Sequence, residues 1–121
     1  GIPYAIEVNP RFQGTLECVE QVLGMSIVKA HVEAYTKGLL PTITDYLPDY
    51  CVRLILFASR RSIVPDLNTF VEVRDIPLPG VVVEKGEPIC SVVMKGVDRD
   101  SSLRKAKKIS RLIFRSLQPC D

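Results

Sequence analysis

Apolar residues recur along this chain with two periods, and the order in which those periods alternate constrains the fold more than any other feature. Ile2, Tyr4, Ile6 and Val8 occupy every second position, with Ala5, Glu7 and Asn9 between them. That period is the mark of a half-buried strand over Ile2–Asn9, and Pro10 ends it by removing a ladder donor. The spacing then lengthens to that of a helix. Leu16, Val19, Val22 and Leu23 predict a helix from about Thr15 to Leu23, with Gly24 as its stop. Ser26 is placed to cap a second helix running to about Thr36, with Ile27, Ala30, His31 and Ala34 along one stripe and Gly38 at the C-cap position.

Two prolines and several turn residues make Leu39–Tyr50 a connector, and the nearly continuous apolar run Cys51–Ala58 reads as a strand. Arg60–Asn68 reads as a polar loop, after which Thr69–Arg74 alternates again. Pro77, Pro79 and Gly80 form a turn before a short strand at Val81–Val83. Lys85-Gly86 precedes another strand at Ile89–Met94, rich in β-branched residues. Asp98 or Asp100 caps a final helix of about Ser101–Leu117, whose apolar stripe is Leu103, Ala106, Ile109, Ile113 and Leu117. This order predicts an α+β fold: a mostly antiparallel twisted sheet, two helices after the first strand and one C-terminal helix. The 121 residues make one domain, with residues 1–40 as its first segment and 41–121 as a β-rich closing segment with the last helix.

Charge excludes little by itself. Sixteen basic and fourteen acidic residues leave a formal charge of +2, too near neutral to argue for a nucleic-acid or membrane partner. No apolar run reaches the ~18 residues of a membrane span, and the first ten residues lack a signal peptide's pattern. Cys18, Cys51, Cys90 and Cys120 include no CxxC pair and the chain has one histidine, so zinc-finger spacing is absent. Reduced, buried thiols in a cytoplasmic protein are the expected state.

The stretch that carries chemistry is Glu7-Val8-Asn9-Pro10-Arg11-Phe12-Gln13. Strand geometry places Glu7 and Asn9 on one polar face, and Arg11 continues that face if the backbone stays extended past Pro10. A carboxylate and an amide carbonyl at i and i+2 are hard oxygen donors suited to Mg²⁺, which favours few protein ligands plus phosphate oxygens. The arginine two residues on supplies a fork for phosphate or carboxylate. Together they match the needs of phosphoryl transfer. The plainer reading of the same triplet is a solvated strand face ending in a turn.

Ile6-Glu7-Val8-Asn9-Pro10-Arg11, followed by Gly14-Thr15, a helix, Gly24-Met25 and Ile27-Val28-Lys29-Ala30, resembles the C-terminal part of the ATP-grasp superfamily. The likeness is to the carbamoyl phosphate synthetase and biotin carboxylase branch and to archaeal predicted carboligases. It covers residues 2–40 and, more loosely, Pro77–Leu117, through Leu78-Pro79-Gly80, Gly86-Glu87-Pro88-Ile89-Cys90 and Gly96-Val97-Asp98-Arg99-Asp100. The resemblance implies that Glu7 and Asn9 ligate the Mg²⁺ (or Mn²⁺) bridging the ATP phosphates, and that Arg11 contacts the γ-phosphate or the acid substrate. It also implies a place near the substrate for Gln13. The implied reaction activates a small carboxylate as an acyl phosphate, which an amine-type nucleophile then attacks.

These 121 residues depart from that family in what they omit: the phosphate-holding lysines, the glycine-rich lid, the adenine-binding hinge and the second metal-binding acid. The chain is therefore expected to be part of a longer ligase, inactive alone. It is also expected to self-associate through apolar surface that the omitted subdomain would cover. Two other classes remain open at this stage. One is a non-catalytic interaction domain. The other is a nucleic-acid module using Arg104, Lys105, Lys107, Lys108, Arg111 and Arg115 of the last helix, which lacks interleaved aromatic residues for base stacking. His31, on the apolar side of its helix, is expected to be packed and hydrogen-bonded rather than catalytic.

Overall fold

A computed structural model of the protein describes residues 2, 4–8, 11–43 and 49–120. Helix α1 (Leu16–Leu23) and helix α2 (Ile27–Lys37) come first. Strands β1 (Tyr50–Phe57), β2 (Ser62–Ile63), β3 (Val73–Arg74), β4 (Val82–Val83) and β5 (Pro88–Gly96) follow. Helix α3 (Arg99–Ser116) and strand β6 (Gln118–Pro119) complete the order. The fold is α+β, with every strand pairing antiparallel and a long helix near the C-terminus.

The pairing makes two three-stranded sheets, β1-β5-β3 and β4-β2-β6. In the first, Val52 pairs with Met94, Leu54 with Val92 and Leu56 with Cys90, so one face of the sheet carries the apolar set. Helix α3 closes that face. Ala106 and Ile113 are fully buried and join Leu56, Val64, Leu67, Val73, Val83, Ile89, Cys90 and Val92 in one core. Burying a side chain of that size stabilises by roughly 1.5–3 kcal/mol.

Local chemistry sets the helix ends. The Ser26 side chain accepts a hydrogen bond from the Lys29 amide at 3.2 Å. Asp98 accepts from the Ser101 amide at 2.6 Å, while the Ser101 hydroxyl returns to the Asp98 amide at 3.3 Å, a reciprocal capping box. Gly24 adopts φ +64° at the end of α1, the left-handed conformation that lets its amide bond back to Glu20. In α3, Ser102 and Ser110 are buried in addition to the apolar stripe. Ser110 bonds back to the Ala106 carbonyl at 2.8 Å, and Ser102 reaches the Tyr50 carbonyl at 3.1 Å, tying α3 to β1.

Two sequence expectations fail here. The described residues within 2–9 belong to no strand; Ile2, Tyr4, Ile6 and Val8 are 78, 80, 96 and 85% exposed. Alternation gives a segment two faces, but a strand also needs a hydrogen-bonded neighbour, and no described strand pairs with it. The stretch Arg60–Asn68 is not a polar loop. It contains β2, and Ser62, Val64 and Leu67 are buried in or beside the core. Ile63, Val64 and Leu67 supply the apolar contacts, while Asp66 turns the chain by accepting from the Asn68 amide at 2.9 Å.

Candidate functional site

The segment singled out by sequence leads into α1 through residues 11–15. The Gln13 carbonyl oxygen accepts from the Leu16 amide at 2.9 Å, which opens the helix. Phe12 meets His31 of α2 edge-on, with ring centroids 5.5 Å apart. His31 is exposed, contrary to the packed position expected for it; α2 buries only Ala30. Glu7, Arg11 and Gln13 are all exposed, and Asn9 lies outside the described residues.

The Gly14 carbonyl, just after this segment, is held by a residue the motif did not flag. Arg53 occupies the middle of β1, at an odd position that points away from the core face of Val52, Leu54 and Leu56. Its Nη1 donates to the Gly14 carbonyl at 2.6 Å, and its Nη2 pairs with the Asp75 carboxylate. Asp75 also interacts with Ser91, and that hydrogen bond, helped by Arg53 and Arg74, holds its carboxyl below the usual carboxylate value of 3.8. Asp75 adopts φ +55°, a conformation that costs a non-glycine residue about 1 kcal/mol or more. Arg53, Asp75 and Ser91 line a hollow of about 310 Å³ together with Ile55, Ile89 and Cys90.

Helix α1 therefore lies against the second face of the β1-β5-β3 sheet, opposite α3. Glu17 of α1 pairs with Arg74 of β3, and Arg74 stands opposite Ser91 in the ladder. Lys95 and Asp49 pair at 2.8 Å near the end of the sheet where Cys51 opposes Lys95. The sequence signal for this cluster was present: Arg53 is the single charge inside the Cys51–Ala58 apolar run. A charge held there has to find partners on the face that the core does not use.

Glu7 offers one hard oxygen donor set, and among the described residues no group of three His, Cys, Asp or Glu could hold a metal. No helix among the described residues is long and apolar enough to cross a membrane.

A protein of Methanocaldococcus jannaschii described as "Uncharacterized protein MJ0776" is 31% identical to this chain over 94 residues, 77% of the chain. The match covers 23% of that protein, so the chain spans about a quarter of the length of the curated relative. No family model matches, and no solved structure matches.

Proposed function

We propose that this chain is a portion of an ATP-dependent carboxylate ligase, supplying Glu7, Asn9 and Arg11 to a Mg-ATP site that residues outside the chain complete. The observation that carries this reading is the Glu7-x-Asn9-x-Arg11 triplet running directly into α1 through a turn that Arg53 fixes at Gly14. Such a tether holds the Gly14 end of the stretch to the sheet, in keeping with the fixed position that a phosphate-contacting segment requires. The size of the relative also favours it, since a protein about four times as long as the matched stretch has room for a second ATP-binding lobe.

In this reading Glu7 and Asn9 present oxygens toward the metal, and Arg11 pairs with the transferred phosphoryl group or the acid. Gln13 lies near the substrate. Acid-dependent release of ADP from ATP by the full-length protein is the assay. Glu7→Gln is expected to lower turnover by roughly 10²-fold or more, on the scale of other lost transition-state contacts, with unchanged thermal unfolding. Near-normal turnover in that variant overturns the assignment. The 121 residues alone are expected to give no heat of binding in calorimetric titration with ATP and Mg²⁺.

A second reading has its own observation. The exposure of Ile2, Tyr4, Ile6 and Val8 suits an interaction or assembly domain without catalysis. Loss of acid-dependent ADP release in Glu7→Gln separates the two, because an assembly domain has no turnover to lose.

A further inference from the structure

Cys18 and Cys51 are distant in sequence, yet the packing of α1 on the sheet brings them together. Cys51 lies on β1 two residues before Arg53, so it points to the same side, toward α1. Cys18 lies within α1 and lines a solvent-open hollow of about 310 Å³ with Cys51, Val19, Val22, Leu23 and Thr15. Neither cysteine is in a disulfide, and both are half-buried. Among the described residues no third His, Cys, Asp or Glu joins them to make a metal site. Burial, with the neighbouring Cys18 and the Glu17 carboxylate, pushes the Cys51 thiol up to about 12. Cys51 therefore stays protonated near neutral pH, and Cys18 is the member of the pair placed to attack first.

We propose that Cys18 and Cys51 form a thiol pair that closes to a disulfide by exchange with a low-molecular-weight disulfide, fastening α1 to β1. The Cys18 thiolate attacks one sulfur of the reagent, breaking its S–S bond and releasing one half as a thiol. A mixed disulfide remains on Cys18. Cys51 then gives up its proton and attacks the Cys18 sulfur, forming the Cys18–Cys51 bond and releasing the second half. The two protein thiols lose two electrons, the reagent's disulfide gains them, and both protons end on the two released thiols. Because both thiols line the same hollow between α1 and β1, closure to disulfide geometry is expected to need little backbone movement. Closure also reaches the motif, because α1 begins two residues after Gly14.

Oxidised glutathione is the probe. The 121-residue chain is incubated with it at mildly alkaline pH, quenched with acid and mapped by proteolysis and mass spectrometry. The expected product is a peptide containing Cys18 joined to one containing Cys51, on a chain lighter by two hydrogens. Its Tm is expected to rise by roughly 5–10 °C, and dithiothreitol reverses both changes. Cys51→Ser is expected to stop at a glutathione adduct on Cys18. A persistent glutathione adduct on the unsubstituted chain, a link from Cys18 to Cys90 or Cys120, or no reaction at Cys18 overturns the proposal. Should Cys51→Ser fail to fold, the peptide map of the unsubstituted chain decides the matter by itself.

Discussion

Arg53 sits where hydrophobic patterning alone would place an aliphatic residue. Its side chain is 21% exposed, and it keeps its charge by giving one nitrogen to a carbonyl and another to a carboxylate. Charge-assisted bonds of this kind are worth more than neutral ones, and losing one partner leaves the others unmatched. Arg53→Ala is expected to cost about 1–3 kcal/mol by urea denaturation. The location of the loss is the sharper test. Amide hydrogen exchange at residues 11–24 is expected to speed up by about tenfold or more, while α3 keeps its protection. Equal acceleration in α1 and α3 would mean that Arg53 supports the whole core and not the motif-bearing turn.

At the scale of elements, close approach matters as much as patterning. Gly96 ends β5 just before α3 begins, and a Cβ placed there would come within 2.6 Å of the Ser102 hydroxyl and 2.7 Å of the Ser101 hydroxyl. The Ser102 amide, at 3.0 Å, is backbone and cannot swing aside. Gly96→Ala is expected to destabilise by about 1–3 kcal/mol through displacement of the first turn of α3, read as a lower denaturant midpoint at an unchanged slope. A neutral effect would show that the capping box tolerates the shift. Helices α1, α2 and α3 were legible in the sequence because their apolar stripes, and caps and stops at Ser26, Gly24, Gly38 and Asp98, act over three or four residues. The two-residue strands β2 and β6 were not, and β3 fills only the last two residues of the alternating stretch Thr69–Arg74. Their extent depends on partners twenty to sixty positions away, which no local pattern near Ser62 or Gln118 reports. The same limit hid Arg53, whose charge was visible in its apolar run while its partners, Gly14 and Asp75, were not.

Across the whole molecule, the core was readable from the stripe of α3 and the runs at β1 and β5, and the N-terminal segment was misread. Ile2, Tyr4, Ile6 and Val8 alternate as a strand does, and the fold leaves them bare. Together with Ile55 and Phe57, half exposed on the sheet face that α1 only partly covers, they present apolar surface that water solvates poorly. Sedimentation velocity of the chain is expected to give a weight-average coefficient that rises with concentration. Ile6→Glu is expected to suppress the rise, and a concentration-independent monomer in the unsubstituted chain would refute it.

The central position of β2 in its sheet has a consequence for how the molecule assembles in time. Ser62 and Ile63 take one neighbour from Val82–Val83 but the other from Gln118–Pro119, on the far side of α3. The hairpin-like half of that sheet can form early, from nearby residues. Its second edge waits until α3 has formed and docked, so the last hydrogen bonds laid down close a loop that contains the whole of α3. Long loops of this kind slow folding more than they weaken the final state. The small sheet thus acts as a late latch, and its strand β6 is the piece that closes it.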